Sequence, residues 1–157
     1  MTEGAVTEGA VTDAAQRNLG TVRQFLNLLE KKDIDGWIAL WAEDGTQFYP
    51  FGTEKFPAQT RGRDAVYEIW RGAPDMFDSL RFEVRQAWTD GDAVIAQFEG
   101  DCVMVDGTRY RNRYMGLFRF TDDGAVREYW EYFDPIVAFE CFGMADVTYR
   151  RDTRPTS

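Results

Sequence analysis

The chain has 157 residues and a formal net charge of −9, and 44% of its residues are hydrophobic. This length suits one domain with a core of its own, and the acidic balance argues against nucleic acid or an anionic membrane surface as a partner. No stretch is apolar enough to span a bilayer and no secretory signal pattern opens the chain, so we expect a cytoplasmic protein.

The sequence contains no histidine, and its cysteines are Cys102 and Cys141. Histidine is the commonest general base and the commonest metal ligand in proteins. We therefore expect no metal site and no cofactor. Acid–base chemistry then has to use the side chains of Asp, Glu, Tyr, Lys or Cys.

The ends of the chain differ in composition from its middle. The motif TEGAV occurs twice near the start, in a small, polar and acidic stretch. We predict a disordered tail over residues 1–14, a single domain over residues 15–148 and a flexible tail over residues 149–157.

Three helices are predicted in the first half of the domain. Apolar residues at three- and four-residue spacing indicate the first helix: Leu19, Val22, Phe25, Leu26 and Leu29. Asp33 is a good N-cap for a short second helix that carries Trp37 and Trp41. A short strand at Thr46–Tyr49 and a loop over residues 51–62 lead to a third helix, Arg63–Gly72.

Four strands complete the prediction, and Asp-Gly pairs between them are typical of tight hairpin turns. The strands are Leu80–Thr89, Ala93–Val105, Thr108–Thr121 and a last one over Arg127–Pro135. The order α-α-β-α-β-β-β-β predicts an α+β fold: a strongly curved antiparallel sheet with the three N-terminal helices on its concave side. Such a cone encloses a natural ligand pocket.

The last strand carries the most informative residue. Successive side chains of a strand point to opposite faces, so Tyr129, Glu131 and Phe133 share one face, and Trp130 and Tyr132 share the other. Both faces are aromatic and therefore look covered. A glutamate inside such a strand is a candidate for acid–base chemistry.

Two neighbouring strands add further candidates. Gln97 and Glu99 share one face of Ala93–Val105, and the pattern does not decide whether that face is solvated or lines the pocket. In Thr108–Thr121, Asn112 and Tyr114 share a face, and a row of arginines lies opposite to them. We interpret the arginine row as a solvated outer face.

The opening helices and first strand, DIDGWIALWAEDGTQFYP, resemble the nuclear transport factor 2-like superfamily, which includes ketosteroid isomerases, limonene epoxide hydrolases and SnoaL-like polyketide cyclases. The resemblance covers roughly residues 15–143 and implies a cone-shaped, cystatin-like α+β barrel. The segments RGRDAVYEIW, YRNRYMGLFRF and WEYFDPIVAFECFG resemble the phenazine-biosynthesis A/B proteins. That match gives Glu131 the family's acid–base role and aligns Asn112, Pro135 and Gly143, whereas the family's pocket histidine falls near Ile69.

A second resemblance is to the limonene epoxide hydrolases, whose C-terminal run is similar to Trp130–Asp134. It places the active-site carboxylate at Glu131 and the partner carboxylate at Glu99, with Gln97 in place of the bridging arginine. The family's water-holding residues fall on Gln47 and Tyr49. This resemblance implies that Glu99 and Glu131 share one pocket, where two nearby carboxylates would form an acid–base pair.

We expect a cofactor-free enzyme of bacterial specialised metabolism that isomerises, cyclises, dehydrates or condenses a hydrophobic oxygenated small molecule. Glu131 would be its main acid–base residue and Glu99 its partner. The expected substrate-binding residues are Gln47, Tyr49, Gln97, Asn112, Tyr114, Tyr129 and Trp70. The alternatives are an epoxide hydrolase or epoxide-opening cyclase that uses Glu99 and Glu131, and a non-catalytic binding or assembly module. The resemblance also implies a homodimer formed through the outer sheet face.

Overall fold

The helices surround one side of the sheet. The computed structural model describes residues 12–54 and 56–150, so most of both predicted tails lies outside the described residues. The helices are α1 (Asp13–Glu30), α2 (Ile34–Ile38), α3 (Arg63–Trp70) and α4 (Pro135–Cys141), with a 3-10 turn at Ala73–Met76. The hydroxyl of Thr12 caps α1 by accepting a hydrogen bond from the N–H of Ala15 at 3.2 Å, so this helix begins slightly before the predicted end of the tail.

The sheet contains seven strands in the described part of the chain: β1 (Trp41–Phe48), β2 (Gln59–Arg61), β3 (Phe77–Ser79), β4 (Phe82–Asp90), β5 (Ala93–Met104), β6 (Arg109–Phe120) and β7 (Val126–Phe133). Their spatial order is β2-β1-β7-β6-β5-β3, and β4 also pairs with β5. The curled sheet with helices on its concave side confirms the predicted α+β class. The structure adds the short strands β2 and β3, and helix α4, which the sequence patterns did not predict.

One strand pair departs from the predicted antiparallel sheet. Strand β1 pairs parallel with β7, with Gln47 opposite Tyr129 and Phe48 opposite Trp130. The two strands are far apart in the chain, so no hairpin constrains their relative direction. Trp41 opens β1 instead of ending the second helix, which corrects the predicted boundary.

The core lies between α1 and the sheet. Phe25 is fully buried, and its ring centroid lies 5.0 Å from that of Trp37, 5.1 Å from that of Phe118 and 4.9 Å from that of Tyr129. Burying such large aromatic surfaces supplies much of the free energy of folding. The predicted apolar stripe of α1 is confirmed as the face that covers the sheet.

Candidate active site

Strand β7 brings Glu131 to the concave face of the sheet. Tyr129 and Phe133, two residues before and after it, are both buried. Glu131 lies opposite Gly116 of β6, and its side chain is half-buried. The alternation read from the sequence therefore gives the correct face for this carboxylate.

Two opposing effects set the pKa of the Glu131 carboxyl group. Burial disfavours the charged form and raises the pKa of Glu131 to about 7, while a hydrogen bond from Tyr129 lowers it. That bond runs from the Tyr129 hydroxyl to Oε2 of Glu131 at 2.6 Å. A carboxyl with this pKa exchanges a proton readily near neutral pH, as a general acid or base must.

Buried tyrosines surround this carboxyl group. Burial raises the pKa values of Tyr49, Tyr114 and Tyr129 well above 10, and the charge of Glu131 raises them further. Burial raises the pKa of Tyr110 in the same way. All four phenols therefore stay protonated near neutral pH and can donate hydrogen bonds.

Gln47 and Trp70 belong to a hydrogen-bonded chain that ends at Tyr49. The indole N–H of Trp70 donates to Oε1 of Gln47 at 2.7 Å, and Nε2 of Gln47 donates to the hydroxyl of Tyr49. Gln47 is fully buried and Tyr49 is 2% exposed. The structure thus brings together three of the residues expected to bind substrate, and both ends of the Gln47 amide are already used.

The ring of Phe56 covers this region from the loop after β1. Its centroid lies 4.2 Å from that of Tyr49 and 5.8 Å from that of Phe133. The backbone hydrogen bonds between Thr53 and Phe56 hold this turn in place. Phe56 therefore extends the aromatic surface that Tyr49 and Phe133 form on this side of the sheet.

Asn112 has a structural role that its predicted contact with substrate does not describe. Its Nδ2 donates to the carbonyl oxygen of Asp134 at 2.9 Å, and its Oδ1 accepts from the N–H of Asp134 at 2.9 Å. Nδ2 also donates to the hydroxyl of Tyr110 at 3.0 Å. The amide therefore joins β6 to the start of α4 and has little capacity left for a ligand.

Glu99 and Gln97 lie on the opposite face of the sheet, so their predicted place in the pocket is wrong. Strand β5 turns Phe98 inward, and alternation then turns both neighbours outward. Glu99 accepts a hydrogen bond from Arg85 at 2.8 Å, which lowers its pKa. The opposite face of this strand is almost entirely apolar, and that pattern in the sequence could have identified the inner side.

The arginine row lies on the outer face, as predicted. Arg109 and Arg111 both form ion pairs with Asp101, at 2.7 and 3.3 Å, and Arg113 lies 3.8 Å from Glu99. These side chains are mostly exposed. Their charges are balanced on the surface and do not act on the interior.

Tyr114 and Tyr110 form the part of the site contributed by β6. The ring of Tyr114 stacks on that of Phe98 at 4.7 Å, and its hydroxyl donates to that of Tyr110 at 3.1 Å. Tyr110 was not among the residues expected to bind substrate, although it shares an inner face with Asn112 and Tyr114. That shared periodicity was the signal available for finding it.

A large open cleft lies elsewhere on the described part of the chain. It has a volume of about 1000 Å³, and outer-face residues such as Arg85, Glu99 and Arg113 line it together with Gly100 and Asn112. Glu131 is not among its lining residues. Because the cleft's charged groups are largely paired with one another, we locate the candidate site at Glu131 and not in this cleft.

Within residues 12–54 and 56–150, no group of three or more Cys, Asp or Glu side chains is arranged to hold a metal ion. The same ranges contain no helix with the length and hydropathy needed to cross a membrane.

Residues 22–129 match the sequence model of the SnoaL-like domain, which covers more than half of the chain. The protein therefore belongs to the SnoaL-like family. Glu131 lies just after the matched region.

Individual relatives agree with this assignment. The chain is 29% identical over 125 residues to an uncharacterised PhzA/B-like protein of Pseudomonas aeruginosa, which covers 78% of this chain and 87% of that one. The crystal structure of a candidate isomerase from Bacillus subtilis superposes with a TM-score of 0.78 at 28% identity, over 85% of this chain and 98% of that one. An epoxide hydrolase of Mycobacterium tuberculosis that resembles limonene epoxide hydrolase shares the fold, with a TM-score of 0.65 at 21% identity over 80% and 89% of the two chains.

Proposed function

We propose that the protein is an enzyme that moves protons on a hydrophobic oxygenated small molecule, with Glu131 as its acid–base residue. One observation carries this proposal. A carboxyl group on the concave face of the sheet has its pKa raised by burial to about 7 and keeps part of its surface accessible. A well-positioned acid or base of this kind typically accelerates a reaction ~10²–10⁴-fold.

The comparisons support a reaction of this class. A member of the SnoaL-like family and a relative of a candidate isomerase is expected to act on a small organic molecule of specialised metabolism. Isomerisation, cyclisation, dehydration and condensation can all begin by removal of a proton from carbon. A carboxylate that takes up the proton and later returns it can catalyse each of them.

The epoxide-opening alternative needs a second carboxylate beside Glu131 to act as its partner. The expected partner was Glu99, which lies on the outer face and is bonded to Arg85. Without Glu99, Glu131 alone would have to act both as the base that activates the nucleophile and as the acid that protonates the leaving oxygen. We therefore favour proton transfer at carbon over epoxide opening.

The test is hydrogen exchange at carbon. We would incubate the protein in D₂O with a set of cyclic ketones and enones and follow the α-protons by proton NMR. Wild-type protein should accelerate the exchange, and Glu131→Gln should lose ~10²-fold or more of that acceleration. The matched control is Glu128→Gln, because Glu128 lies on the same strand but on the outer face, near Arg119.

Two results would contradict the proposal. Exchange that proceeds equally well in Glu131→Gln would remove this residue from the chemistry. Ketones that bind wild-type protein without any exchange of their α-protons would favour the non-catalytic binding module.

A further inference from the structure

The hydroxyl of Tyr49 has a fixed hydrogen-bond polarity. An indole N–H can only donate, so the group of Gln47 that faces Trp70 has to be its oxygen. The Gln47 nitrogen then faces Tyr49 and donates to the phenol oxygen. Trp70 thereby fixes the orientation of the amide, and Tyr49 acts as an acceptor towards Gln47.

The proton of Tyr49 is consequently directed elsewhere. Gln47 donates to one lone pair of the phenol oxygen. The indole N–H of Trp70 also lies close enough to lower the pKa of Tyr49 as a hydrogen-bond donor. Among the hydrogen bonds of the described residues, none uses the Tyr49 hydroxyl as a donor. A buried donor without an acceptor is costly, so it favours a ligand that supplies one.

Glu131 is the carboxyl group on the concave face whose charge acts on Tyr49. The β1–β7 register sets Phe48 opposite Trp130, so the next inner residues, Tyr49 and Glu131, are neighbours across the two strands. The charge of Glu131 raises the pKa of Tyr49, which places the two groups within electrostatic reach. They form no direct hydrogen bond in the described structure, so the Tyr49 proton is not taken by Glu131 and stays available to a ligand.

The interior provides no counter-charge for an anion. The buried residues of the described ranges include no lysine or arginine. The arginines of β6 lie outside and are paired with Asp101 and Glu99. A substrate that carries a carboxylate or phosphate would meet the charge of Glu131 with no cation to compensate for it.

We propose that the site takes uncharged carbonyl compounds, with the Tyr49 hydroxyl as the hydrogen-bond donor to the carbonyl oxygen. This inference rests on the proposed acid–base function of Glu131. The carboxylate removes a proton from the carbon beside the carbonyl group, and the electron pair of that C–H bond forms the new C=C bond. The π electrons of the C=O bond move to oxygen, where the donor stabilises the enolate, and Glu131 later returns the proton to carbon.

Trp70 is a positioning residue in this arrangement. It touches Gln47 and fixes which end of the amide faces Tyr49. Replacing it by phenylalanine would remove the indole N–H and leave the Gln47 amide free to rotate. The Tyr49 hydroxyl could then satisfy its own proton by donating to the amide oxygen.

The test uses 1-tetralone labelled with carbon-13 at the carbonyl carbon, with 2-naphthoate as an anionic probe of similar size. Wild-type protein should bind the ketone, shift its carbonyl resonance downfield and leave the naphthoate unbound. Tyr49→Phe should abolish the downfield shift and weaken ketone binding about tenfold. Trp70→Phe keeps the phenol and should give a reduced shift.

The controls separate this inference from the proposed function. Glu131→Gln should stop α-proton exchange but keep the carbonyl shift, and Tyr132→Phe, on the outer face, should change neither. A carbonyl resonance that shifts equally in wild type and in a folded Tyr49→Phe variant would overturn the role of Tyr49. Naphthoate that binds as tightly as the ketone, or a ketone that fails to bind, would overturn the substrate class.

Discussion

Glu131 lies among neutral phenols. Its carboxyl group is therefore the group in this part of the interior whose charge changes near neutral pH. Tyr129 donates to it, and the charge of Glu131 also acts on Tyr49, which follows β1, and on Tyr110 and Tyr114 of β6. Their pKa values are raised, so none of these phenols ionises between pH 4 and 9. The carboxyl should therefore titrate as a nearly isolated group.

This isolation makes stability depend on pH in a defined direction. The pKa of Glu131 is raised to about 7 in the folded chain, whereas an unfolded glutamate titrates near ~4.3. Between these values the folded state holds a proton that the unfolded state has lost. Wild-type protein should thus lose roughly 1.4 kcal/mol of stability per pH unit in this interval, relative to Glu131→Gln.

Urea denaturation of both proteins at pH 5, 6, 7 and 8 measures this difference. Glu128→Gln serves as the control, and its stability should run parallel to that of the wild type. A difference between wild type and Glu131→Gln that stays constant with pH would mean that the carboxyl is fully hydrated.

Gly116 is required because three aromatic rings close over it. A Cβ at this position would lie 3.0 Å from Phe118, 3.1 Å from Tyr129 and 3.2 Å from Phe98. Gly116→Ala should therefore cost about 1–3 kcal/mol by overpacking. Gly20→Ala is the matched control, because a Cβ there meets no atom within 4 Å and alanine should stabilise α1 by about 1 kcal/mol.

Thermal and denaturant unfolding of both variants checks these opposite signs. If Gly116→Ala is as stable as wild type, the three rings move aside at no cost. The site beside Glu131 would then be more adaptable than the contacts indicate.

At the scale of single elements, α4 depends on one side chain from the sheet. Asn112 forms paired hydrogen bonds with the backbone of Asp134, whose own carboxylate caps α4 by accepting from Ile136 and Val137. Pro135 at the first helical position adds a preformed helical φ angle. The helix start is therefore fixed from two sides.

Asn112→Ala should destabilise the protein by about 2 kcal/mol and accelerate hydrogen exchange at the amide of Asp134, because two backbone bonds are lost. Asp134→Ala removes only the cap and should cost about 1 kcal/mol, with the Asp134 amide still protected by Asn112. Hydrogen-exchange mass spectrometry or NMR distinguishes the two. Unchanged protection of the Asp134 amide in Asn112→Ala would show that α4 is held by packing alone.

The sequence predicted turns and strand faces correctly where the residue pattern within the segment itself determines them. The aspartate–glycine turns marked the hairpins, and strict alternation placed Glu131 on the inner face of β7. The face of Glu99 was left open, although the apolar residues on the other side of β5 were a signal for its inner face. The parallel contact of β1 with β7 and the docking of α4 depend on tertiary contacts that leave no local pattern.

Across the whole molecule, the outer face of the sheet exposes an apolar patch made of Trp88, Ile95, Met115 and Tyr132. Trp88 is opposite Ile95, and Met115 is opposite Tyr132, so the patch crosses four strands. Beside it, Phe48 and Trp130 stack at 3.8 Å. A continuous apolar patch of this kind often marks a contact between subunits.

We predict a homodimer formed through this patch. Met115→Lys places a charge in its centre and should shift the protein towards monomer in analytical ultracentrifugation. Val105→Lys, at an exposed turn outside the patch, should leave the mass unchanged. A wild-type protein that sediments as a monomer at all concentrations would contradict the prediction.

Because Glu131 titrates as a nearly isolated group, ligand binding beside it should take up or release a measurable number of protons. A ligand that meets the carboxyl half-ionised near pH 7 will push it towards one state, and the buffer must supply or absorb the difference. Titration calorimetry in buffers of different ionisation enthalpy measures that number directly. Binding of an acceptor ligand that favours the neutral acid takes up a fraction of one proton, and binding of a cationic ligand releases a fraction of one proton. The dependence of the binding heat on the buffer can thus show whether a ligand favours the neutral or the charged form of Glu131, before any product has been identified.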